Sequence, residues 1–196
     1  MNNLKTIITA SVCAAFFNLQ VRAADQEADT NIAQTCFECH GQEGISNNPD
    51  IPSLAAQQPD YMIHQLKSFS AGNRNNPLMN KIAAGLSDDD IVKVTAYFAS
   101  RQPRSAGGNP VLASAGETDV ETCFECHGAK AQGHRYTPRL AGQQPQYLVT
   151  QLKKFRDESR AGGVMNLVAD DLSDENMEVV AAYLGSFQSD EDALTP

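Results

Sequence analysis

The sequence predicts an all-α protein built from two copies of one small helical unit, and three observations lead there. The segment Cys-Phe-Glu-Cys-His-Gly occurs at 36–41 and again at 123–128. Downstream of each copy, apolar residues recur at i, i+4 and i+7, the period of a helix facing a core, and no stretch alternates as a strand would. The copies also keep register: Pro52/Pro138, Leu54/Leu140, Gln58/Gln144, Tyr61/Tyr147, Gln65/Gln151, Phe69/Phe155, Arg74/Arg160, Met79/Met165 and Tyr97/Tyr183 all lie 86 apart. The cysteine motifs lie 87 apart, so the copies differ by one residue between histidine and proline. A period this long, seen only twice, marks a duplicated domain rather than a solenoid.

Taken in order, the chain opens with Lys5, an apolar run from Thr6 to Phe17, and Val21-Arg22-Ala23. This is the pattern of an export leader cleaved near Ala23. About twelve apolar residues cannot cross a hydrocarbon core that needs roughly twenty, which argues against a membrane anchor. Cys13 is a poor lipidation site, because it lies inside the apolar run behind the bulky Val12. No later segment could span a membrane. The expected division is a leader at 1–23, a first domain at 24–102, a linker at 103–116 rich in Pro and Gly, and a second domain at 117–196.

Within each copy, Pro59 and Pro145 suit the first position of a helix, where a missing N–H costs nothing. Met62, Leu66 and Phe69 then form a buried stripe, matched by Leu148, Leu152 and Phe155. Ser87 and Ser173 read as caps of a second helix, with Asp88, Asp89 and Asp90 against the positive end of the first. Its stripe is Ile91, Thr95 and Phe98; the twin buries Met177, Val180, Ala181 and Leu184. A shorter helix should lead into each cysteine motif, although its stripe is poorly marked in the second half.

The formal charge is −9, and removal of Lys5 and Arg22 with the leader takes it to −11. That balance argues against nucleic acid and is compatible with docking on basic protein surfaces. Each half offers a thin core without tryptophan, of the kind that a metal or large cofactor commonly supplements.

Two thiols three residues apart on a helical turn can add to both vinyl groups of one haem, while the adjacent histidine reaches the iron. Cys36, Cys39 and His40, and again Cys123, Cys126 and His127, therefore predict two covalently bound haems c in an exported chain. A zinc site shared by both cysteine pairs would leave the two histidines unexplained. A redox Cys-x-x-Cys lacks its βαβ surroundings, and plain structural disulfides within each pair stand as a minor alternative.

The haem reading asks for a second axial ligand, and the repeat selects it. Met62 aligns with Leu148 and Met177 with Ile91, as exchangeable core residues do, whereas Met79 and Met165 align with each other. The spare histidines fail the same test, since His64 aligns with Thr150 and His134 has no histidine near its counterpart. Imidazole and thioether together make a six-coordinate iron that changes oxidation state with little ligand movement, as an electron carrier requires.

These residues, with the Pro-x-Leu-Ala segments at Pro52 and Pro138, the Gln-x-x-Tyr and Gln-Leu-x-x-Phe helices and the Leu-Ser-Asp helix starts, resemble the cytochrome c4 family over nearly the whole mature chain. The resemblance implies two tandem small cytochrome c-like domains packed about a pseudo-twofold axis. It also implies a periplasmic electron carrier, not an enzyme, serving redox partners such as a cytochrome bc1-type complex and a terminal oxidase, and it is compatible with peripheral association with the membrane. Carried over by residue, His40 with Met79 and His127 with Met165 would hold the irons, the carbonyls of Pro52 and Pro138 would accept from the histidines, and Arg74 and Arg160 would face haem propionates. The alternative is the diheme subunit of a flavocytochrome c sulfide dehydrogenase-like enzyme, draining a separate flavoprotein. A haem sensor or peroxidase would instead need a labile ligand.

Overall fold

The computed structural model describes residues 31–187. The expected leader at 1–23 and the last residues of the second half lie outside the described residues. Among those described the chain is helical, with pairing limited to two isolated bridges, Arg74 with Arg160 and His134 with Thr137.

In the first half, α1 covers residues 31–40 and carries the whole Cys36–His40 motif on its last turns. It stops at Gly41, whose φ of 81° is open to glycine but not to other residues without strain; Gly128, at 85°, does the same in the second half. A 3₁₀ turn follows at Gln42–Gly44, then α2 (Pro59–Ser70), α3 (Pro77–Ala84) and α4 (Asp88–Ala99). Pro59 opens α2 as expected, and Met62 and Phe69 are its buried residues. At α4 the Ser87 hydroxyl accepts the Asp90 N–H at 3.1 Å while the Asp90 carboxylate accepts the Ser87 N–H at 3.0 Å, a reciprocal cap. Phe37 on α1 closes the core against Tyr97 and Phe98 of α4, with ring centroids 5.8 and 6.2 Å away.

The second half repeats the plan with α7 (Pro145–Arg156), α8 (Val164–Asp170) and α9 (Asp174–Ser186). Its leading helix is broken in two, α5 (Pro110–Gly116) and α6 (Glu121–His127), joined by turns at 117–120. The break is why the apolar stripe there is hard to read. Residues 110–116, read from the sequence as part of the connecting segment, are thus helical and pack against α9. The Asn109 side chain accepts the N–H groups of Val111 and Leu112, and Pro110 takes the first turn. The third ring of the aromatic cluster also comes from a different place: Phe124 and Tyr183 are joined by Phe187, since Leu184 stands where the first half has Phe98.

That exchange is coupled to another. Gly44 and Ala131 are equivalent: each carbonyl accepts two N–H groups, from Leu54 and Ala55 at 2.7 and 3.1 Å, and from Leu140 and Ala141 at 2.8 and 3.1 Å. Both have positive φ, 80° and 48°. A Cβ at Gly44 would lie 2.6 Å from the Phe98 ring, so the larger ring requires glycine, whereas Leu184 leaves room for the Ala131 methyl. The one-residue difference between the halves is absorbed beyond this point, in 45–51 against 132–137.

The halves meet about a pseudo-twofold axis, and their cross-bonds come in pairs. Gln58 Nε2 donates to the Gln132 carbonyl at 2.9 Å, and Gln144 Nε2 donates to the Ser46 carbonyl at 2.5 Å. The connecting strand of chain before α5 lies along the second half, with Ser105 Oγ donating to the Gly185 carbonyl at 2.9 Å.

Candidate haem-binding sites

Each histidine of the two motifs is held in the same way. His40 Nδ1 lies 2.9 Å from the Pro52 carbonyl oxygen, and His127 Nδ1 lies 2.8 Å from that of Pro138. Since a carbonyl only accepts, the hydrogen sits on Nδ1 and the lone pair of the neutral ring is left on Nε2, the form a metal requires. Burial holds both imidazoles below the usual histidine range, and the carbonyls oppose this only in part; His134 adds a further push on His127. Neutral rings with a directed Nε2 are therefore in place in both halves. The loops reaching the two prolines differ in length, yet the bond is the same.

The four cysteines are free thiols, with Cys36 and Cys123 half-buried and Cys39 and Cys126 exposed. Burial pushes the Cys36 and Cys123 thiols up, against hydrogen bonds from Thr35 and Thr122 that lower them. This is the opposite of the depressed, reactive thiol of a dithiol redox centre. Among the described residues, no group of three or more His, Cys, Asp or Glu side chains is arranged to hold a bare metal ion. Free paired thiols on one helical turn beside an imidazole with its Nε2 available fit a covalently attached haem.

Met79 and Met165 sit near the starts of α3 and α8 and are both half-buried. Neither helix is legible from periodicity, being eight and seven residues long. The neighbour of each methionine is an asparagine that hooks the helix to the preceding loop. Asn80 Nδ2 donates to the carbonyls of Phe69 and Arg74 at 2.6 and 2.8 Å, and its Oδ1 accepts the Asn76 N–H. Asn166 does the same toward Phe155, Arg160 and Gly162. Asn76 caps α3, but α8 starts at Gly163 with no side-chain cap.

Arg74 and Arg160 meet at the junction of the halves and bond across it. Arg74 donates to Gln65 at 2.6 Å, Tyr147 at 2.9 Å and Gln151 at 3.0 Å; Arg160 donates to Gln151 at 2.8 Å, Tyr61 at 3.0 Å and Gln65 at 3.2 Å. Each guanidinium also lies over its own half's phenylalanine, 4.5 Å from the Phe69 ring centroid and 4.4 Å from that of Phe155. Burial works against the Arg74 charge, but the facing phenols outweigh it and hold Arg74 up. Burial likewise raises the Tyr147 phenol, and the two guanidiniums reverse this and bring it below the ordinary tyrosine range. None of the described carboxylates pairs with either arginine. Two positive charges are thus held in the interface by neutral partners.

Sequence reasoning singled out the cysteines, histidines, methionines, prolines and arginines, and it overlooked the asparagines and a pair of glutamines, Gln57 and Gln143. All four sit at an offset of 86, in Gln-Gln-Pro and Met-Asn, so the repeat that selected Met79 also marks them.

Two tandem helical domains, each with a Cys-x-x-Cys-His turn, define a diheme c-type cytochrome. Residues 113–188 match the cytochrome c family, and residues 23–98 match the family of cytochrome C oxidase, cbb3-type, subunit III. The cytochrome c4 of Thiocapsa roseopersicina is 33% identical over 174 residues, covering 81% of this chain and 90% of that protein. The thiosulfate dehydrogenase electron acceptor of Stutzerimonas stutzeri is 32% identical over 200 residues, covering 90% and 93%. The crystal structure of reduced recombinant cytochrome c4 from Pseudomonas stutzeri superposes with a TM-score of 0.76 at 30% identity, covering 83% of this chain and 98% of that one. The chain belongs to the cytochrome c4 family: it is an electron carrier with two covalently bound haems c. No helix among the described residues is long and apolar enough to cross a membrane.

Proposed function

We propose that the chain carries electrons in the periplasm through two six-coordinate irons, one held by His40 and Met79 and the other by His127 and Met165. Cys36 with Cys39 and Cys123 with Cys126 make the thioether links. The observation that carries this reading is the matched pair of Nδ1 bonds to Pro52 and Pro138, which leaves both Nε2 atoms for iron. The haem, when bound, supplies the one-electron couple; the protein's part is to fix its ligands and counter its charge. Arg74 and Arg160 suit that second task, since one half-buried and one buried guanidinium with neutral partners favour a nearby anion such as a propionate. With both axial positions filled, the chain transfers electrons without bond chemistry and is not an enzyme. We further propose that the mature chain begins near residue 24, with a first domain to about residue 102 and a second from about residue 110.

For the donors and acceptors two readings stand. Respiratory partners, a bc1-type complex and a terminal oxidase, are the first reading. The similarity to a thiosulfate dehydrogenase electron acceptor over 200 residues favours, as a second, service to a dehydrogenase of inorganic sulfur compounds. Stopped-flow reduction by each purified donor separates them.

The ligand assignment is tested one half at a time. The mature protein should have the mass of the chain plus two haems, and Cys123→Ala with Cys126→Ala should leave one. Met165→Ala should let one reduced haem bind carbon monoxide and leave the other inert, with Met79→Ala as the mirror case. Full sulfur ligation in either methionine variant, or rapid carbon monoxide binding at both irons of the unaltered protein, would overturn the assignment.

A further inference from the structure

The carbonyl that receives each histidine belongs to a peptide unit whose other end is held by the opposite half. The Pro52 carbonyl and the Ser53 N–H are one planar group, and the Ser53 N–H donates to Gln143 Oε1 at 2.8 Å. Gln143 Nε2 also donates to the Ser53 carbonyl at 2.9 Å, so one amide grips both polar groups of the residue after the proline. The mirror arrangement is present: the Arg139 N–H donates to Gln57 Oε1 at 2.7 Å, and Gln57 Nε2 donates to the Arg139 carbonyl at 3.0 Å. Both glutamines are buried, at 6% and 7% exposure, so these bonds face no competition from bulk water.

The result is two crossed chains of hydrogen bonds. One runs from His40 Nδ1–H through the Pro52–Ser53 peptide to Gln143, the other from His127 Nδ1–H through the Pro138–Arg139 peptide to Gln57. A peptide that donates from its N–H becomes a better acceptor at its carbonyl, because bonded dipoles polarise one another. A rigid peptide plane also cannot turn its carbonyl without turning its N–H, so each glutamine fixes the direction in which the carbonyl meets the ring.

We propose that Gln143 and Gln57 are positioning residues that set the proximal histidine, and through it the reduction potential, of the haem in the half to which they do not belong. This rests on His40 and His127 being iron ligands. A stronger bond at Nδ1 gives the imidazole more electron density to donate, which favours ferric iron. Loss of the clamp weakens that bond and raises the potential of the opposite haem.

The test uses the full-length holoprotein with Gln143→Met and Gln57→Met, near-isosteric changes that remove both polar atoms. Each variant is checked by mass for two haems. With isotope-labelled histidine, the Nδ1–H resonances of His40 and His127 in the reduced state read the two proline bonds separately. A redox titration followed through the signals of each half reads the potentials. Gln143→Met should move the His40 resonance and lower the ferric-to-ferrous ratio of the first haem at a fixed poise about threefold, or about 30 mV at about 59 mV per tenfold. His127 and the second haem should stay as they were, and Gln57→Met should give the mirror result. Shifts confined to the variant's own half, equal shifts in both, or no shift in either would overturn the proposal, as would loss of haem from both variants, since the glutamines would then be holding the fold and not the ring. If the His40 and His127 resonances of the unaltered protein ignore the oxidation state of the iron, the ligand reading has failed instead.

Discussion

The pairing of Gly44 with Phe98, against Ala131 with Leu184, can be put to a double-mutant cycle. An alanine methyl at Gly44 would stand 2.6 and 2.9 Å from two carbons of the Phe98 ring, where comfortable carbon contacts begin near 3.5 Å. About an ångström of overlap must be relieved by moving a ring that packs against Phe37 and Tyr97, and overpacking of this kind costs about 1–3 kcal/mol. The φ of 80° adds roughly 1–2 kcal/mol for any residue with a Cβ. Gly44→Ala should therefore cost about 2–5 kcal/mol in total. In Phe98→Leu with Gly44→Ala the clash with the ring vanishes, and what remains is the backbone part and a 3.1 Å contact with the Ala55 nitrogen, both common to the single variant. The double variant should thus be more stable than the sum of the singles by about 1–3 kcal/mol, or about 3–9 °C in melting temperature. Thermal unfolding of the oxidised holoprotein, followed by circular dichroism, measures all four corners. Because the Gly44 carbonyl holds the backbone of Leu54 and Ala55 just after Pro52, the His40 ring should be disturbed in the single variant and restored in the double. An additive cycle would refute the claim that ring and glycine are coupled.

Two further outcomes follow from the caps and hooks. Asn166→Ala removes three hydrogen bonds that seat α8 and leaves the Arg160 carbonyl and the Gly162 N–H without that partner, at about 1–3 kcal/mol; under the proposed ligation it should increase carbon monoxide binding at the haem assigned to Met165 and spare that assigned to Met79, and equal binding at both would contradict the role given to the hook. The Ser87 hydroxyl, then its backbone N–H, hold the Asp90 carboxyl below its ordinary range, so the cap's contribution is present above the ordinary carboxylate range and is lost as pH falls through the lowered value. Ser87→Ala should return Asp90 toward ordinary titration in a carboxyl NMR titration and shift the acid unfolding limb to higher pH; an unchanged Asp90 would mean that the cap does not form in solution.

What the sequence made legible is what repeats with a helical period or a chemical signature. Pro59, Pro145, Ser87 and Ser173 mark helix starts through backbone chemistry that operates locally, and α2, α7, α4 and α9 begin where those residues stand. The short helices α3, α5 and α8 have too few turns to show an apolar period, and only Asn76-Pro77 and Asn109-Pro110 betray two of them. The histidines, cysteines and methionines could be selected because their chemistry is distinctive. Gln57 and Gln143 repeat as the methionines do but carry no such chemical signature, because a glutamine's task is set by which backbone it reaches, and that is a property of how the halves dock. Arg74 and Arg160 illustrate the same limit: their charge was readable, but their reach across to Tyr147 and Tyr61 was not.

The cross-bonds described above have a common character. Gln57, Gln58, Gln143, Gln144, Arg74 and Arg160 reach backbone or neutral polar groups of the other half. Apolar contacts would hold two domains together without fixing their angle, because they are non-directional. Hydrogen bonds demand a particular geometry, and those from the buried Gln57, Gln143, Gln144 and Arg160 penalise departures from it, so they hold the halves in one relative pose. An electron carrier gains from this, since its irons should change oxidation state with little accompanying movement. The paired geometry also means that each half completes the hydrogen bonds around the other's histidine, so neither half alone holds the full environment of that ring.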